Sequence, residues 1–119
     1  MALSLIYVTF PSEDAARELV RGALDKRLAA CATYWNVGST YWWHGAIEVG
    51  SEAVALFKTA PSRVRALRAW LTEHHPYELP CIIELRSGAV HPQYEAWAKA
   101  EVGARTTTAK RKAKRRGPK

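Results

Sequence analysis

The side chains in this 119-residue chain that could do chemistry are few and scattered. Cys31, Cys81, His44, His74, His75 and His91 are the soft and borderline ligands it offers. Thiolate suits Cu(I), and imidazole suits copper or zinc. The spacing argues against a structural metal centre: there is no CxxC pair, and no two histidines stand at i, i+4. Adjacent His74 and His75 would point about 100° apart on a helix, unless the helix has already unwound before Pro76. Each candidate has a plain alternative. Cys31 reads equally as a small buried residue of a strand, and His75 as a cap on the last carbonyls of a helix.

Carboxylates and an amine form a second set. Glu48, Glu52 and Lys58 share strand parity, so one face of a strand would carry all three. A charge on an otherwise apolar strand is costly unless paired, and Tyr77, His75 or a neighbouring subunit could supply the partner. That set reads either as an inter-subunit pocket for a small anion or metal, or as a structural network. Ser12 and Ser39 have no base near them in sequence, and no nucleophile elbow, HExxH or Walker loop occurs. The expectation is a protein that is not an enzyme.

These residues hang on a run from Cys31 to Thr59. Cys31 to Trp43 is dense in aromatic and β-branched residues, His44-Gly45 signals a turn, and Ala46 to Thr59 is a second strand-like run. The arms are about twice the ordinary strand length of roughly six residues. Gly38 and Gly50 are candidate bulges or bends. Before the hairpin come a strand over Leu3–Thr9 and an amphipathic helix capped by Ser12. After it come a helix opened by Pro61 or Ser62 and ended near His75 by Pro76. A short strand, Cys81 to Leu85, and a helix from Pro92 carrying Tyr94 and Trp97 complete the pattern. The order βαββαβ plus a helix predicts an α+β, ferredoxin-like sandwich with both main helices on one face.

The long hairpin overhangs so small a domain. Alternation sends Trp35, Tyr41 and Trp43 to one face, with Tyr34 and Trp42 on the other. Exposed aromatics on a long edge invite association. The chain therefore reads as a homo-oligomer whose interface holds Trp35, Tyr41, Trp42 and Trp43; the alternative is a monomer whose hairpin curls over its own third helix.

Charge divides the chain at its end. Residues 1–104 hold ten Lys/Arg and eleven Asp/Glu, net −1; residues 105–119 hold eight Lys/Arg and no acid, net +8; together they make +7. We read residues 1–103 as the folded domain and 104–119 as a disordered basic tail suited to nucleic acid or another polyanion. No run approaches the roughly 20 apolar residues of a membrane span, and MALSLIYVTF lacks the pattern of a signal peptide. Two cysteines in a domain with a sound core suit the cytoplasm, although a single disulfide between them is also open.

Taken in order, several short motifs resemble the CutA divalent-cation tolerance family. They are Val8-Thr9-Phe10-Pro11, Leu28-Ala29-Ala30-Cys31, Ser39 to Glu48 across the hairpin tip, Glu52, Lys58-Thr59, His74 to Pro80, and Tyr94 with Trp97. The likeness spans about residues 3–102. It implies a ferredoxin-like domain assembled as a tight homotrimer, similar to PII signalling proteins, and a link to metal tolerance, copper especially. On that footing Cys31, His74 and His75 are the expected metal ligands, with copper as the possible cofactor. Glu52, Lys58, Tyr77 and Cys81 are the expected ligand pocket of a PII-like sensor. Cys81 stands where the family usually has Glu.

Overall fold

In the computed structural model, residues 2–103 are described. The elements are β1 (Ser4–Phe10), α1 (Glu13–Asp25), β2 (Cys31–Trp43), β3 (Ala46–Thr59), α2 (Val64–His74), β4 (Ile82–Arg86) and α3 (Pro92–Gly103), with a 3-10 turn at Pro61–Arg63 leading into α2. The four strands form one sheet in the order β2-β3-β1-β4, antiparallel throughout. This is the ferredoxin-like arrangement that the element order implies.

Local sequence explains the elements. The Ser12 side chain accepts from the Ala15 amide at 3.1 Å, and Glu13 and Asp14 follow in the first turn of α1, where the helix dipole favours acids. Ala16, Leu19, Val20 and Ala23 make its buried stripe. Arg27 then takes a positive φ of 58°, and the amide of Leu28 closes the end on the carbonyl of Ala23. Helix α2 stops because His75 precedes proline and is extended, with ψ 139°.

Even-numbered residues of β1 and odd-numbered residues of β3 face the helices. Ile6, Val8, Phe10, Ala53, Ala55 and Phe57 pack there with Leu67 and Leu71 of α2. The other face carries even-numbered β3 residues beside odd-numbered β2 residues, by the pairing of Cys31 with Lys58 and of Trp35 with Val54. Helix α3 docks on that outer face at the Cys31 end, burying Ala98 and Val102.

The hairpin register is unbroken from Cys31↔Lys58 to Trp43↔Ala46. No bulge occurs at Gly38 or Gly50, contrary to the expectation from sequence. The two glycines lie on neighbouring rungs, Gly38↔Ser51 and Ser39↔Gly50, and an added Cβ would meet nothing within 4 Å at either. At the tip, His44 and Gly45 both take positive φ, 49° and 80°, as a two-residue turn between strands requires. The partner strand β1 covers only Ala53–Thr59 of β3. Residues 46–52 and their partners 37–43 project beyond the body by about 23 Å. The tip does not curl over α3, and the molecule measures 50 × 30 × 25 Å. The basic segment 104–119 lies outside the described residues.

Candidate ligand sites on the outer face of the sheet

Two polar clusters occupy this face, one half-way along β3 and one at its C-terminal end. At the base of the overhang, Glu52 sits with one carboxylate oxygen on each of two hydroxyls. Ser39 Oγ donates to Oε1 at 2.6 Å, and the Tyr77 hydroxyl donates to Oε2 at 2.6 Å. Ser39 comes from β2, Glu52 from β3, and Tyr77 from the short loop held between Pro76 and Pro80. Burial, and then the bond to Glu52, hold the Tyr77 hydroxyl well above its usual range of proton loss.

His75 locks that loop. It is buried, stacks on Phe10 at 4.8 Å between ring centroids, and uses both ring nitrogens. Nε2 donates to the Thr9 carbonyl at 2.8 Å, and Nδ1 accepts from the Tyr77 amide at 3.0 Å. This assignment makes the ring neutral, and burial lowers its pKa despite the Thr9 carbonyl and the Glu52 charge, which act the other way.

At the far end Lys58 Nζ donates to Thr33 Oγ1 at 2.6 Å and to Cys31 Sγ at 3.8 Å. The Tyr94 hydroxyl reaches Cys31 from α3; burial and then that hydrogen bond push its pKa up to about 12.

The structure joins some of the residues nominated from sequence and separates others. Glu52 and Tyr77 meet. Lys58 stands six residues along β3 from Glu52, about 20 Å, and belongs to the Cys31 cluster instead. Cys81 precedes β4 as a free, half-buried thiol and makes no hydrogen bond among the described residues. Cys31 is free as well. Cys31, His74 and His75 do not converge within one protomer. His74 is exposed on α2, its Nδ1 donating to the Trp70 carbonyl at 2.9 Å, and His75 has no nitrogen left for a metal. Among the described residues no three of His, Cys, Asp and Glu come together as a metal set. One protomer alone does not fit a copper centre. Ser39 and Tyr94 were not among the residues picked out as sites. Ser39 follows from the His44-Gly45 turn, which pairs it with Gly50 and so sets it beside Glu52 on the same face; Tyr94 is legible only as a motif residue of the family resemblance, because its contact with Cys31 depends on where a helix docks.

The comparison with known proteins agrees with this architecture. The sequence model of the CutA1 divalent ion tolerance protein family matches residues 4–101. This chain belongs to the CutA family. It is 40% identical over 98 residues to the divalent-cation tolerance protein CutA of Thermotoga maritima, covering 82% of this chain and 97% of that one. It is 36% identical over 99 residues to Protein CutA of Homo sapiens, covering 82% of this chain and 55% of the human protein. Among solved structures it superposes on CutA from Xylella fastidiosa with a TM-score of 0.82 at 35% identity, over 86% and 99% of the two chains. A further CutA structure, from Archaeoglobus fulgidus, is described as periplasmic; it matches at TM-score 0.82 and 29% identity, over 84% and 98% of the chains. No helix among the described residues is long and apolar enough to cross a membrane.

Proposed function

We propose that this CutA chain serves divalent-cation tolerance as a cytoplasmic homotrimer, assembled through its overhanging hairpin, and that it works by binding rather than by catalysis. One observation carries the reading. The hairpin projects well past the body with its aromatic side chains uncovered: Trp42 is 71% exposed, and Trp35, Tyr41 and Trp43 are each above 40%. Burying such a surface against another copy is the economical use of it, since large aromatics dominate contact cores. Two free cysteines support a reducing compartment.

In the assembly the Glu52 clamp lies where the hairpin leaves the body, so a neighbouring copy would cover it. We read it as the floor of an inter-subunit ligand pocket. A single protomer does not supply a copper centre, so a bound Cu(I) would need donors from more than one copy, with Cys31 as the soft ligand this chain contributes.

The test is mass in solution. Light scattering should give about 40 kDa, three times the 13.3 kDa chain, and a Trp42→Ser/Trp43→Ser variant should lose mass while keeping its helical signal. A monomeric wild-type chain would sink the proposal. Cu(I) titration of the intact assembly in reducing buffer, beside Cys31→Ala, tests the thiol separately.

A second reading rests on charge. The segment 105–119 carries +8 against −1 for the rest. Three copies would present three basic tails to a polyanion with added avidity. Binding to a DNA duplex should then collapse between low and moderate salt, and should vanish on truncation at Gly103.

A further inference from the structure

A cleft of about 490 Å³ opens on the helix side of the molecule, away from both clusters. Its floor is Leu3 and Ser4 at the start of β1 with Val64 at the start of α2. Its walls carry Arg65 and Arg68 from α2 and Glu84 and Arg86 from β4. Three guanidinium groups thus face one carboxylate. That carboxylate is already engaged: Ser4 Oγ donates to Glu84 Oε2 at 3.4 Å, and Arg86 Nε stands 3.8 Å away. Arg65 and Arg68 have no acidic partner among the described residues.

This arrangement runs against ordinary helix electrostatics. The first turn of α2 has no acid, its N-cap residue Arg63 makes no side-chain capping bond, and Arg65 follows at once. Cations near a helix N-terminus are unfavourable, and like charges one turn apart repel. Arg17 and Arg21 on α1, by contrast, each stand beside an acid of their own helix. The uncompensated guanidiniums gather where the surface is concave and its floor apolar, as small-molecule sites are built. Guanidinium is also the group best matched to phosphate oxygens.

We propose that this cleft binds a small compound bearing a chain of phosphates. Arg65 and Arg68 are separated by about 4.5 Å along α2, and Arg86 approaches from β4, so the charges are spread over more than one phosphate. Leu3 and Val64 leave an apolar floor that a nucleobase could use. Inorganic tripolyphosphate and ATP share the phosphate chemistry, and the experiment separates them.

The test is calorimetric titration of the full-length protein at about 150 mM salt with orthophosphate, tripolyphosphate and ATP. Arg65→Gln/Arg68→Gln is titrated in parallel, with the basic C-terminal segment present in both proteins. Tripolyphosphate should bind at least tenfold tighter than orthophosphate, and the double variant should lose at least tenfold in affinity at unchanged melting temperature. Glu84→Gln should bind more tightly than the parent, which a merely structural Glu84 would not produce. ATP binding tighter than tripolyphosphate would place the base on the apolar floor; equal affinity would mean that only the phosphates are read. Undiminished binding by the double variant would assign the anion to the C-terminal segment and overturn the proposal. Absence of binding to the wild-type protein at millimolar tripolyphosphate would also overturn it.

Discussion

Tyr77 reaches across from the Pro76–Pro80 loop to donate its hydroxyl to Glu52 Oε2 at 2.6 Å, fastening that loop to the root of the hairpin. The acceptor is charged and half-buried, which puts the bond among the stronger ones, about 1.5–3 kcal/mol. Tyr77→Phe is expected to cost about that much and to lower the melting temperature by several degrees, measured by thermal unfolding. Glu52→Gln keeps an acceptor for one hydroxyl and can donate its amide N–H to the oxygen of the other, so it should cost less. Equal stability of Tyr77→Phe and the parent would show that the bond contributes nothing.

His75 makes the stability depend on pH. Its folded pKa is lowered, chiefly by burial, below the ordinary value of about 6.5. Below that value the unfolded chain takes up a proton that the folded chain refuses. The contribution is therefore complete above pH 6.5 and is lost as the pH falls toward the folded pKa, at no more than about 1.4 kcal/mol per pH unit. Melting temperatures at pH 7.5 and 5.5 should differ more for the parent than for His75→Gln. An imidazole resonance titrating at or above 6.5 would contradict the assignment.

Gly22 faces Trp70 across the α1–α2 contact. A Cβ there would lie 2.7 Å from Cη2 and 2.8 Å from Cζ2 of the indole. Gly22→Ala gains about 1 kcal/mol of helix propensity, whereas overpacking costs about 1–3 kcal/mol. A net loss of stability is expected by denaturant unfolding, and Trp70→Leu in the same chain should reverse the sign of the Gly22→Ala effect. A more stable single variant would show that the indole moves aside without cost.

Truncation after Gly103 should leave the melting temperature and the number of copies in the oligomer unchanged. Helix α3 keeps its anchors, because Val102 is buried and Arg27 Nη1 donates to Glu101 at 2.6 Å, both before the cut. A fall of several degrees would mean that residues 104–119 pack on the domain.

The parts of this fold legible in the sequence were those set by neighbours along the chain. Ser12, Glu13 and Asp14 announced α1; Pro76 ended α2; His44-Gly45 announced the turn. Strand parity put Glu52 on one face of the strand with Glu48 and Lys58, and its partner Tyr77 is among the candidates named from sequence. Parity also grouped Lys58 with Glu52, which is right about the face and wrong about the distance, because period two carries no information on separation along a strand. The pairing of Tyr94 with Cys31 and the gathering of Arg65, Arg68 and Arg86 arise from tertiary contact between elements distant in sequence. The loss of His75 as a ligand likewise comes from two backbone groups, Thr9 and Tyr77, that only the folded chain brings to its ring.

The unbroken pairing from Cys31↔Lys58 to Trp43↔Ala46 restricts how this protein can change its own reach. Lengthening both arms by one residue would shift the turn and invert the face presented by every side chain beyond the insertion. Lengthening both by two would restore the faces and move the tip outward by about 7 Å. The hairpin is thus a ruler graduated in pairs of residues per arm, and relatives with longer or shorter overhangs should differ from this chain by multiples of four residues between Cys31 and Lys58.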